Sequence, residues 1–298
     1  MMHLRNLAIA IGALATIAHG AKTLQTVTGW GSLESSAKVT VQLYVPDQVA
    51  TSPAVVFALH GCGGSGSEYY QREANYGTYA EEKGFLVVYP SSKNDSNCWD
   101  VSSTSSLTHD GGSQSQALAQ VASYLQEQYN ADPDQIFVTG SSSGCMMTNV
   151  VMAVYPDVFK AASCYSGVAA GCLAGSPGNS PADSNHTCPD GDVHKTGAQW
   201  AEQVRAMYPE YNGTYGRMQT WHGTADNLVF YANLAEQLKE WSALLNVSFT
   251  KNVTDYPTTG YTRMVYGDGT TLVGYSAQGV GHTVPVHPKL DLAWFGLS

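Results

Sequence analysis

Ser142 stands in Gly140-Ser141-Ser142-Ser143-Gly144, directly after the apolar run Ile136-Phe137-Val138-Thr139 and directly before a helical pattern over residues 146–154. A serine hydroxyl is a weak nucleophile until it is lifted clear of the chain and given a base. A sharp strand-to-helix turn, with glycine two residues away on each side, does the lifting. The chemistry such a turn serves is acyl transfer through a covalent acyl-serine. It requires backbone N–H groups aimed at the developing oxyanion, a histidine to take the serine proton, and a carboxylate to orient that histidine. His60-Gly61-Cys62-Gly63-Gly64, at the end of an early strand, can supply one N–H, and the residue after the serine the other. The amides of Cys62 and Ser143 are therefore the oxyanion candidates.

On this type of scaffold the acid and then the histidine follow the nucleophile in the chain. Asp226 comes just past the strand-like residues 218–221, in His222-Gly223-Thr224-Ala225-Asp226, whereas Asp255 and Asp268 sit among polar turn residues. His282 lies in Gly279-Val280-Gly281-His282, after the strand-like residues 271–275. Its rival is His287, which precedes Pro288 at an expected helix start. His282 is preferred because a glycine on each side of Val280 gives a mobile turn that can swing an imidazole onto the serine. His60 and His109 precede the nucleophile, His186 and His194 fall in a cysteine-bearing loop, and His222 occupies the turn before the acid. The chain has no His-Glu-x-x-His, no Cys-x-x-Cys pair and no Gly-x-x-x-x-Gly-Lys loop. Neither a metal nor another cofactor is expected.

These residues need a frame. Residues 38–45 alternate apolar and polar positions, the pattern of a strand with one buried face, while Ala54-Val55-Val56-Phe57-Ala58-Leu59 is continuously apolar, as in a parallel strand covered on both faces. Residues 85–89, 135–139, 161–165 and 217–221 read the same way. Leu118, Val121, Leu125 and Tyr129, and again Leu234, Leu238, Trp241 and Leu245, recur at helical spacing. Strand alternating with helix predicts an α/β domain with a mostly parallel central sheet flanked by helices, the α/β-hydrolase arrangement once the turn at Ser142 is added. Residues 167–195 read as an irregular loop, stapled by a disulfide between Cys172 and Cys188.

The 298 residues, 43% hydrophobic and 13% charged, suffice for one large core, and no repeat or second domain is visible. Residues 1–20 have Arg5 near the start, an apolar run from Leu7 to Ala18, and small Ala18 and Gly20 at the cleavage positions. That segment reads as a secretory signal too short to span a bilayer, leaving residues 21–298 as the catalytic domain of an extracellular protein with no membrane association. Loss of Arg5 takes the net charge from -10 to -11, which argues against a nucleic-acid partner. Cys62, Cys98, Cys145, Cys164, Cys172 and Cys188 all remain, an even number suited to disulfides in an oxidising compartment. Asn94, Asn185, Asn212, Asn246 and Asn252 each open a glycosylation sequon.

Nearly the whole mature chain resembles the fungal acetylxylan esterases of carbohydrate esterase family one, whose neighbours include the type B feruloyl esterases. The resemblance is carried by Leu59-His60-Gly61-Cys62, Tyr89-Pro90-Ser91-Ser92, Cys98-Trp99-Asp100-Val101, Tyr165-Ser166-Gly167-Val168 and Gly279-Val280-Gly281-His282-Thr283-Val284-Pro285. It implies a secreted esterase with Ser142, Asp226 and His282 as its triad, the amides of Cys62 and Ser143 as its oxyanion hole, and acetylated xylan of the plant cell wall as its partner. Four cysteines (Cys62, Cys98, Cys172 and Cys188) match the family's pattern, and Cys145 and Cys164 are additional. Thr283-Val284-Pro285 looks like the acetyl branch and suggests a stiff turn beside a shallow acyl pocket. Ala225-Asp226-Asn227-Leu228-Val229 looks more like the feruloyl branch, so release of ferulate is the alternative. A polyester depolymerase and a non-catalytic carbohydrate-binding protein are the remaining readings, and the protein is expected to act as a monomer.

Overall fold

The computed structural model describes residues 23–298. The secretory segment expected at residues 1–20 lies outside them. Ten strands form one sheet: β1 (Gln25–Val27), β2 (Val39–Tyr44), β3 (Val55–Leu59), β4 (Leu86–Ser92), β5 (Ile136–Ser141), β6 (Ala161–Tyr165), β7 (Arg217–Gly223), β8 (Phe249–Thr254), β9 (Tyr261–Tyr266) and β10 (Leu272–Ala277), in the order β1-β2-β4-β3-β5-β6-β7-β10-β9-β8. From β4 to β10 every pairing is parallel, and antiparallel strands extend both edges. This is the mostly parallel sheet of the α/β-hydrolase fold.

Side chains alternate between the two faces, so β3 sends Val55, Phe57 and Leu59 to one core and Val56 and Ala58 to the other. The first core is closed by α3 (Gln114–Tyr129), α4 (Ser143–Val154), α5 (Gly197–Met207) and α6 (Ala232–Leu245). The second is closed by α1 (Gly66–Arg72), α2 (Asn75–Lys83) and α7 (Pro288–Phe295). Strands β8 and β9 have no sequence-level expectation behind them, and β8 shows why: its residues are nearly all exposed, so no apolar alternation marks it. Helix α5 begins on a capping box between Thr196 and Gln199, a spacing that the sequence does display.

The cysteines pair as Cys62–Cys98, Cys145–Cys164 and Cys172–Cys188. The last closes the loop between β6 and α5, as expected. The second ties α4 to β6 immediately behind Ser142, so the two additional cysteines bond to each other.

Helix α7 is fastened to the sheet by Asp291. This fully buried carboxylate accepts hydrogen bonds from Ser163 and Tyr165 Oη at 2.6 Å each, Gln219 at 2.9 Å, Thr139 at 3.3 Å, and Tyr76 Oη. Burial, opposed by those donors, pushes its pKa up to about 6. Between pH about 4 and about 6 the folded protein holds this proton and the unfolded chain does not. Stability therefore falls as pH rises through that window, by roughly 3 kcal/mol from this group. Asp291→Asn is expected to lose stability overall yet to flatten this limb. Thermal unfolding from pH 4 to 7 measures it, and parallel profiles for the two proteins would contradict it.

Candidate active site

Ser142 joins β5 to α4 with φ 56° and ψ -122°, a left-handed backbone that a non-glycine residue adopts only when its surroundings enforce it. The two flanking glycines are required by contact. A Cβ on Gly140 would stand 2.5 Å from the carbonyl of Gly144, and one on Gly144 would run into the carbonyls of Leu59 and His60. The Ser142 N–H donates to Tyr165 O at 2.8 Å, which pins the turn to β6.

His282 Nε2 lies 2.8 Å from Ser142 Oγ, and its Nδ1 lies 2.8 Å from Asp226 Oδ2. Asp226 is fully buried at its side chain and His282 nearly so. Asp226 Oδ1 accepts the amides of Leu228 at 3.0 Å and Val229 at 2.9 Å. Burial works to raise the Asp226 pKa, but the imidazoles of His222 and His282 and those two amides outweigh it and hold the carboxyl well below the usual range. His222 Nε2 is 3.5 Å from Asp226 Oδ2, too long for a good hydrogen bond, and donates to Val229 O at 2.8 Å. It acts on Asp226 chiefly as a neighbouring dipole. With Asp226 ionised, the His282 proton sits on Nδ1 and leaves Nε2 free to accept the serine proton.

Of the other candidates, His186 lines the pocket beside Ser142 without joining the relay, and several more are held elsewhere. His287 is half-buried against Trp221 and Tyr261, with its pKa lowered by burial. His109 stacks flat on Tyr208. Asp255 and Asp268 accept hydrogen bonds within their own turns, from Gly260 and from Thr270. The turn carrying His282 is braced where a mobile one was expected. The Gly279 N–H donates to Thr224 Oγ1 at 2.8 Å, and Val280 O accepts from Ala225 N at 3.0 Å, so the histidine and aspartate turns are locked together.

The amides of Cys62 and Ser143 flank the serine, and neither donates to a protein acceptor among the described residues. A Cβ on Gly61 would stand 3.3 Å from Ser141 O and 3.4 Å from Ser142 Cβ, so this loop lies close against the serine turn. Sequence reasoning missed what holds the loop. Trp99 donates its indole N–H to His60 O at 2.9 Å and its backbone N–H to Ser143 Oγ at 2.8 Å, and the preceding Cys98 bonds to Cys62. His60 is buried, accepts Ser92 N–H at 3.1 Å and faces Gly61 O at 2.7 Å. Burial lowers its pKa and keeps it neutral, in a structural role.

Beside Ser142 and Cys62 opens a pocket of about 50 Å³, walled by Met146, Leu228 and Val229 and roofed by Leu173, Asn179 and Pro181 of the disulfide-closed loop. Thr283-Val284-Pro285 does not shape it, contrary to expectation. Val284 is buried under the sheet with Tyr165 and Trp221, its N–H held by Ser166 Oγ at 3.0 Å. Of the sequon asparagines, Asn185, Asn212, Asn246 and Asn252 are exposed and Asn94 is half-buried. Among the described residues no helix is long and apolar enough to cross a membrane, and no group of three or more side chains could hold a metal ion.

A family model described as the Prolyl oligopeptidase family matches residues 78–247, a span that holds Ser142 and Asp226 and ends before His282. Fold, elbow and family match define the chain as an α/β-hydrolase belonging to that family. At closer range it is 45% identical to a feruloyl esterase B of Neurospora crassa over 96% of this chain and 97% of that one. It is 42% identical to the acetylxylan esterase A of Aspergillus awamori over 93% and 90%. The solved structure of an acetyl xylan esterase from Aspergillus awamori superposes with a TM-score of 0.86 at 41% identity, covering 93% of this chain and all of that one. The chain belongs to the family of the fungal acetylxylan and feruloyl esterases and is a carboxylic ester hydrolase.

Replacing both Cys62 and Cys98 by alanine is expected to remove about 4 kcal/mol of stability by the chain-entropy model, given their separation of 36 residues. If the Cys62 amide serves as an oxyanion donor, the replacement should also lower kcat on a chromogenic acetate ester more than it raises KM, because such a donor acts only as charge develops. Urea unfolding and steady-state kinetics measure the two effects. An unchanged kcat in a folded variant would show that Trp99 alone holds the loop.

Proposed function

We propose that this protein is a secreted serine esterase that removes acetyl groups from acetylated xylan. The observation that carries this reading is the continuous relay of 2.8 Å contacts from Asp226 through His282 to Ser142, opening beside a pocket of about 50 Å³. His282 takes the Ser142 proton as the hydroxyl oxygen attacks the ester carbonyl, and the Cys62 and Ser143 amides receive the charge on the former carbonyl oxygen. The C–O bond to the sugar breaks, the sugar oxygen takes the proton from His282, and an acetyl-serine remains. Water, deprotonated by the same histidine, releases acetate and restores Ser142. Asp226, kept ionised by its hydrogen bonds, stabilises the imidazolium in both halves. No step calls for a cofactor.

Several features support the wider reading. Three disulfides suit an oxidising, extracellular compartment, and residues 1–20 have the pattern of a secretory signal. The acetylxylan esterases among the relatives support a polysaccharide substrate. The exposed sequon asparagines are proposed as glycan sites, and the chain as a monomer that binds neither nucleic acid nor membrane. One observation favours ferulate as a second acyl group. Leu228 and Phe230 expose large apolar surfaces beside the relay, 44% and 43%, on which an aromatic ring could lie outside the small pocket.

Ser142→Ala is expected to lower kcat by about a millionfold while leaving the fold intact. A folded variant that retains more than a trace of activity would remove Ser142 from the mechanism. Acetate release from acetylated xylan is expected to exceed ferulate release from methyl ferulate in kcat/KM, because the walled pocket takes a methyl group and leaves a feruloyl ring without burial, worth roughly 25 cal/mol per Å². A larger specificity constant for methyl ferulate would reverse the acyl assignment without touching Ser142, Asp226 or His282.

A further inference from the structure

Strands β7, β9 and β10 and helix α7 border a cleft of about 360 Å³. Arg217, the first residue of β7, and Arg263, in the middle of β9, both line it. Acidic residues outnumber basic ones in this chain by 24 to 14, yet neither guanidinium forms an ion pair among the described residues. Arg263 gives one N–H to Gly269 O at 3.3 Å and lies over the Tyr256 ring at 5.4 Å. Buried Nε atoms of both arginines, and the indole Nε1 of Trp294, have no acceptor among the described residues. Of the carboxylates nearest the cleft, Asp291 behind Gln219 is occupied by its five donors and Asp268 by Thr270, while Asp157, with Lys160, borders an adjoining depression.

Two half-buried cations that line one cleft without a counter-ion among the described residues offer charged donors to an anion that enters it. The cleft does not end at Arg217. A second depression of about 560 Å³ shares Arg217 and Thr270 with it and is bordered by Tyr211 and Tyr215. Accessible aromatic rings thus border both depressions, Tyr256 and Trp294 in one and Tyr211 in the other, with Tyr275 and Tyr215 buried beneath them. Flat rings flanking a planar, bidentate donor pair match a sugar that bears a carboxylate.

We propose that this groove is a second binding site, in which a uronic-acid side group of the polysaccharide places its carboxylate between Arg217 and Arg263 while neighbouring sugar rings lie on the flanking aromatics. That the anion is part of a sugar rests on the polysaccharide-esterase reading; that it is an anion rests on the side chains alone. Arg217 stands at the start of β7, about 20 Å along the strand from the His222–Asp226 turn, so a long chain that reaches Arg217 could also engage Ser142 and raise its effective concentration there.

The test is calorimetric titration of the whole enzyme with a uronosyl-substituted xylo-oligosaccharide that carries no acetyl groups. Its controls are the same oligosaccharide with the carboxyl reduced to an alcohol, and inorganic phosphate. One site is expected, retained when Ser142 is blocked by a phosphonate, and weakened about tenfold or more by carboxyl reduction and by Arg217→Gln or Arg263→Gln. Carboxyl reduction needs no variant, so it stands if a substitution fails to fold. Absence of binding, equal binding of the reduced sugar, equal binding of phosphate, or loss of binding on blocking Ser142 would each overturn the proposal. Because the ligand has no ester, these outcomes are independent of acetylxylan turnover, and failure of either reading leaves the other legible.

Discussion

The left-handed backbone of Ser142 is the constraint around which the rest of the molecule is arranged. Such a conformation costs on the order of 1–3 kcal/mol, and it persists only because its neighbours leave no alternative. Gly140 and Gly144 touch, β3 presses its last carbonyl onto Gly144, and β6 takes the Ser142 N–H through Tyr165 O. The Cys145–Cys164 bond ties the same helix and strand together from behind. Straightening the turn would break the seat of α4 on the sheet. The hydroxyl stays raised because lowering it would unpack the core.

Tyr165 carries that constraint across to the base. Its backbone holds Ser142, while its side-chain hydroxyl donates to Asp291 at 2.6 Å and accepts the His287 N–H at 3.0 Å. The segment bearing His282 is thus fixed at both ends, by the Asp226 turn on one side and by α7 on the other. The two buried aspartates in this path behave oppositely for a physical reason. Asp226 accepts two backbone amides and the Nδ1–H of an imidazole, and it stays ionised. Asp291 accepts only neutral hydroxyls and an amide beneath the sheet, so burial prevails and its pKa rises.

Much of this was legible in the sequence, and the boundary of legibility has a cause. The parallel strands β3 to β7 announce themselves because both faces are buried, so each is a continuous apolar run. The relay residues stand out because glycines and strand ends cluster around them. What escaped is whatever depends on contact between distant segments. Trp99 reaches His60 and Ser143 from positions far apart in the chain and leaves no period behind. The stiffness of Thr283-Val284-Pro285 was visible, but its direction was not. Val284 points down into the core under Trp221, so the segment anchors the histidine and does not wall the pocket. The glycines around Val280 likewise suggested mobility, and only the Thr224 and Ala225 contacts reveal a brace.

The pocket wall and the oxyanion loop prove to be held by one short segment. Asp95 accepts the amides of Asn179 at 2.5 Å and Ser180 at 2.7 Å, and the Val101 N–H donates to Asn179 Oδ1 at 2.9 Å. Between them, Cys98 and Trp99 fix Cys62, His60 and Ser143. The loop that borders the pocket and the turns carrying Cys62 and Ser143 are therefore coupled through residues 95–101. A substituent too large for the pocket either stays outside it, along Leu228 and Phe230, or displaces the Cys172–Cys188 loop. That motion pulls on Asp95 and Val101, and through them on the Cys62 amide. Exclusion of a bulky acyl group would then appear in kcat as well as in KM, since the same displacement that admits the group weakens stabilisation of the charge formed on its carbonyl oxygen.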